Sequence, residues 1–158
     1  MNKKSSIIVL AIAVLLIIVG GYLIISNSSG GNASGEAEMI SFKTHDFKLF
    51  EMDIPDGSKF KVKNEADGMK YYQNKGNYSD EFSSIIISKN LTDSLIGDNV
   101  VSVLNTSGEK IYSFELKNKT NYKLVSTHDD VDIILLGEDL NLLKEVSDTI
   151  KVKDVSGL

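Results

Sequence analysis

The chain's two histidines each stand beside carboxylates, in His45-Asp46 and in His128-Asp129-Asp130-Val131-Asp132. An imidazole next to an acid is the raw material of a divalent-metal site or of a nucleophile and base pair, but the fold would have to bring the two stretches together. No His-Glu-x-x-His segment supplies two ligands from one helix. Asp129, Asp130 and Asp132 also lack the glycine turn and distal glutamate of a calcium loop. Asp and His are ordinary turn residues, so the expectation is a solvated hairpin with no catalytic residue, no metal ligand and no cofactor. His128 is kept as a binding candidate. So are Lys59, Lys61 and Lys63, which alternate with Phe60 and Val62 and so project from one strand face toward anionic wall polymer or lipid headgroups. The plain alternative is an edge strand whose lysines oppose aggregation. Tyr71, Tyr72, Tyr78, Tyr112 and Tyr122 offer either an aromatic platform or half-buried core. The glycines precede no Lys-Ser/Thr pair, which excludes a phosphate cradle.

Six of the twelve asparagines open an Asn-x-Ser/Thr triplet: Asn27, Asn32, Asn77, Asn90, Asn105 and Asn118. All six fall in stretches read as linker or turn, where a glycosylated surface protein would carry them. The competing explanation is that Asn, Ser and Thr gather in turns anyway.

Composition narrows the classes further. There is no Cys, Arg or Trp, and all 17 basic residues are Lys. A disulfide framework and a lipoprotein anchor are therefore impossible, and no guanidinium fork is available for bidentate recognition of phosphate or guanine. The formal net charge is −5, which argues against a nucleic-acid partner.

The elements that would position these residues begin with an anchor. Ile7 to Ile25 is a run of nineteen residues without a charge, fourteen of them Ile, Leu or Val. As a helix it would reach roughly 28 Å, enough for a bilayer's hydrocarbon core, and its aliphatic residues favour insertion by roughly 4 to 8 kcal/mol. Lys3 and Lys4 precede it and the next Lys is Lys43, so the charge bias keeps the N-terminus in the cytoplasm and the rest outside. A cleaved signal peptide would have a shorter apolar core, although Ala33-Ser34-Gly35 is small enough to be cut. The expected organisation is a cytoplasmic tail at 1–6, a transmembrane helix at 7–25, a Ser/Gly/Asn linker at 26–38, an α+β domain at 39–153 and a tail at 154–158.

Within that domain the pattern predicts short alternating runs. Ile40 and Phe42 begin a strand that continues from Phe47 to Ile54 and ends in Pro55-Asp56-Gly57-Ser58. Lys59 to Lys63, Met69 to Gln73 and Phe82 to Lys89 follow, with the unbroken Ile85-Ile86-Ile87 suggesting a central strand. Leu91 to Leu104 reads as a short helix from Thr92 or Asp93, with a strand over Val100 to Leu104 left open. Lys110–Leu116, Tyr122–Thr127 and Val131–Leu136 are spaced as an antiparallel meander. Asp139 then caps a helix whose Leu140, Leu143, Val146 and Ile150 form one apolar stripe.

The strand ending in Ile54-Pro55-Asp56-Gly57, the run Lys110-Ile111-Tyr112-Ser113-Phe114, and Ile133-Ile134-Leu135-Leu136-Gly137 with its following helix resemble small N-terminally anchored surface proteins of methanogenic archaea. The same order looks like the plan of PsbP-like and Mog1-like domains. The resemblance covers residues 39 to 153 and implies a fold, but carries no functional residue over. The expected fold class is α+β: an anchoring helix, then a mainly antiparallel sheet of six to seven strands with a C-terminal amphipathic helix packed on it. The expected function is binding or scaffolding in the cell envelope without catalysis. The lipid bilayer is one partner, and wall polymer or another envelope protein the other. The alternatives are an envelope hydrolase or sensor using His128 and nearby carboxylates, and a filament built by packing of the apolar helix.

Overall fold

The computed structural model describes residues 39–91, 93–106 and 108–158. The expected anchor at 7–25, the linker at 26–38, and the sequons at Asn27 and Asn32 lie outside the described residues. Among those described, no helix is long and apolar enough to cross a membrane.

Among the described residues, ten strands form two antiparallel sheets. The larger has seven strands in the order β3-β4-β5-β9-β8-β7-β6, built from β3 (Phe60–Ala66), β4 (Met69–Asn74), β5 (Ser84–Ser88), β6 (Val100–Thr106), β7 (Glu109–Leu116), β8 (Lys119–His128) and β9 (Val131–Gly137). Two meanders, β3 to β5 and β6 to β9, meet where β5 pairs with β9, with Ile85 opposite Leu135 and Ile87 opposite Ile133. The triple isoleucine is indeed internal. Its strand has neighbours on both sides, and Ile85 and Ile87 face the core. The smaller sheet is β1 (Phe42–Asp46), β2 (Phe50–Pro55) and β10 (Lys151–Val152), with β2 in the middle.

Period two explains how the layers join. Phe50, Met52 and Ile54 point from β2 onto Ile85, Ile87, Leu124, Ile133 and Leu135 of the large sheet, and all are fully buried. Phe47 links the sheets through rings, with centroids 4.7 Å from Phe50 and 5.2 Å from Tyr72. Helix α2 (Leu140–Ser147) closes the same core with Leu142, Leu143 and Val146, and packs on β2, β8 and β9. A four-residue helix, α1 (Asp93–Ile96), belongs to the other face of the large sheet. There the Lys123 ammonium donates to the carbonyls of Leu95 at 2.9 Å and Ile96 at 2.6 Å, satisfying groups that a helix C-terminus leaves open.

Three expectations need correction and one open alternative is resolved. The single strand from Ile40 to Ile54 is a hairpin, because Lys48 takes φ 73° and the Phe47 amide donates to the Phe50 carbonyl at 2.9 Å. The segment read as helix or strand is both, α1 and then β6. The loop assigned to Asn118-Lys119-Thr120-Asn121 shrinks to Lys117-Asn118, both at positive φ, the geometry of a tight hairpin turn. Ile150 lies beyond the helix, and the residues read as a tail fold back so that Val155 enters the core.

Candidate functional site

His128 ends β8 opposite Val131, and its Nε2 lies 3.2 Å from Ser126 Oγ, two residues earlier on the same strand face. Ser126 is opposite Glu109, whose carboxylate accepts from Ser147 Oγ of α2 at 2.5 Å. A hydroxyl and an imidazole in contact are two thirds of a nucleophilic triad. Among the described residues, however, no carboxylate bonds the second ring nitrogen, and Ser126 is only 9% exposed. Ser126 thus presents little surface to an incoming substrate.

Beside His128 a groove of about 460 Å³ runs between the Asp129-Asp130 turn and the C-terminal segment at Val152, Lys153 and Val155. The Lys153 ammonium is committed to Asp46 at 2.9 Å and Glu51 at 3.1 Å. Its hydrogen bonds hold both carboxyls below their ordinary range, and the same pairing raises the lysine. His45 lies in the smaller sheet with its ring 4.5 Å from that of Phe47, so the two histidines occupy separate sheets. No group of three His, Asp or Glu able to hold a metal occurs among the described residues.

The lysine row is real but divided. Lys61 pairs with Gln73, a bulge falls between Val62 and Asn64, and Lys63 reaches over the Tyr71 ring at 5.7 Å. The bulge and the exposed ammonium groups lie along an edge of the large sheet. The tyrosines form no common platform. Tyr72 is buried in the core and Tyr122 packs partly against it, while Tyr71 and Tyr112 lie on strands separated by β5, β9 and β8, about 19 Å apart. The sequons Asn77, Asn90, Asn105 and Asn118 are exposed. Asn118 sits at the tip of the β7–β8 hairpin, and Asn105 is in β6 instead of a turn.

The feature missed by sequence reasoning is the opposite edge of the large sheet. β6 is Val-Val-Ser-Val-Leu-Asn-Thr, without a charge, and six of its seven residues are exposed. Val101, Val103 and Leu104 are 70%, 52% and 54% exposed, and neighbouring Leu116 of β7 is 53% exposed. The signal was present as seven uncharged residues, but an ambiguous period hid which strand would end the sheet.

The architecture is thus a mainly antiparallel α+β domain with a C-terminal helix. No family model and no curated protein matches the chain. Among solved structures it is similar to the solution structure of cyanobacterial PsbP (CyanoP) from Synechocystis sp. PCC 6803, with 15% identity and a TM-score of 0.43, over 77% of this chain and 98% of that one.

Proposed function

We propose that the chain is a single-pass membrane protein with a cytoplasmic N-terminus. Its 39–153 domain is held outside on the 26–38 linker as an N-glycosylated binding or scaffolding module of the cell envelope, of the kind methanogenic archaea display. Residues 7–25 meet the lipid, and the domain meets wall polymer or another envelope protein. The observation that carries the binding role is β6, a strand with open hydrogen-bonding groups along one side and exposed valine and leucine side chains. Such an edge is what an added strand recognises. Protease added to intact cells should remove the domain and leave a short membrane-bound remnant; complete protection would overturn the orientation.

A second reading, an envelope hydrolase or sensor, is favoured by the Ser126–His128 contact alone. Alanine at both His45 and His128 should leave function intact under the first reading and abolish it under the second.

A further inference from the structure

We infer that β6 pairs antiparallel with β6 of a second copy of this chain, joining two seven-stranded sheets into one. This rests on the envelope-binding reading and names its partner. The two edges of the sheet differ in kind. β3 carries Lys61, Lys63 and Glu65, charges that obstruct an incoming strand, whereas each edge strand has one bulge, between Val62 and Asn64 in β3 and between Val100 and Ser102 in β6. β6 carries no charge in a chain of net charge −5, so a two-fold pairing sets no like charges opposite each other. With the strand's middle residue on the axis, Val103 faces Val103 of the partner and Ser102 faces Leu104, the regular stretch that follows the bulge at Val101.

Layer geometry permits this. α2 packs on β8 and β9, while β6 lies two strands beyond β8, so the joined edges keep the two helical layers apart. A two-fold axis normal to an antiparallel sheet also leaves both smaller sheets on the same side. The start of β1, at Phe42, therefore emerges on that side in both copies, as two chains anchored in one bilayer require.

Size sets the conditions. The edge of a seven-residue strand is about 23 Å long and buries on the order of 350 Å² per copy, under half of the roughly 800 Å² per partner of a standard interface. Pairing is thus weak between dilute domains and becomes favourable when a shared membrane raises the effective concentration.

The natural chain has no cysteine, so a single introduced one reports unambiguously. The full chain would be expressed in membranes with Val103→Cys, Leu104→Cys or, on the other edge, Val62→Cys, oxidised, and the covalent dimer measured alongside membrane sedimentation. Opposed residues at about 4.5 to 5.5 Å between Cα atoms can form a disulfide. Val103→Cys should give mostly dimer, whereas Leu104→Cys, which faces Ser102 and lies about 8 Å from its own copy, and Val62→Cys should stay monomeric. Adding Leu104→Lys to Val103→Cys should cut the dimer about tenfold. Sedimentation with the membrane but no dimer from Val103→Cys would overturn the pairing and leave the anchor standing. Recovery in the soluble fraction would overturn the anchor, while cross-linking there would still uphold the pairing.

Discussion

Lys153 follows β10 directly and ties it to both other strands of the smaller sheet, through Asp46 of β1 and Glu51 of β2. Because the two carboxyl pKa values are lowered in the folded chain, their stabilisation is present above the ordinary carboxylate range and fades as pH falls through the lowered values. The lysine's raised value acts in the opposite direction. Its stabilisation is present below the ordinary lysine range and fades only as pH rises past the raised value. Lys153→Met should therefore lower the melting temperature most between about pH 5 and pH 10, with the difference from the natural chain shrinking toward pH 2. Thermal scans across that range provide the check, and a constant difference would contradict it. The charges themselves were plain in the sequence. Their pairing was not, because Lys153 lies about a hundred positions from its partners and follows a strand of only two residues.

At the level of elements, α2 was the most legible piece. Asp139 Oδ1 accepts from the amides of Asn141 at 3.0 Å and Leu142 at 3.1 Å, as an N-cap should. Asp139→Ala should cost about 1 kcal/mol, whereas Leu143→Ala, at a fully buried position, should cost about 2 to 5 kcal/mol. Denaturant melts of both variants test that ranking, and equal losses would refute it. The β1–β2 hairpin was illegible for a physical reason. Its turn relies on Lys48 in the left-handed region, and lysine sends no turn signal. β10 was missed because two residues are too few to show a period. α1 depends on a contact across 27 positions, from Lys123 to the Ile96 carbonyl, and burial lowers that lysine's pKa.

For the molecule as a whole, the C-terminal segment seals the core. Val155 is buried, Leu158 packs against the core cluster, and the Lys153 amide donates to the Leu49 carbonyl at 2.8 Å. Truncation after Ile150 should thus leave Phe50 and its neighbours open to water, with dye binding and loss of a cooperative melt as the signs. An unchanged melt would show that β10 is dispensable. By itself the chain determined its class: alternation, turn residues and an N-cap are local, so most of the meander and α2 could be read directly. Tertiary structure alone decided that two sheets form instead of one, that the histidines fall in different sheets, and that β6 ends the larger sheet. Strand order depends on free-energy differences between distant pairings, and no local pattern of residues encodes which strand is left without a neighbour.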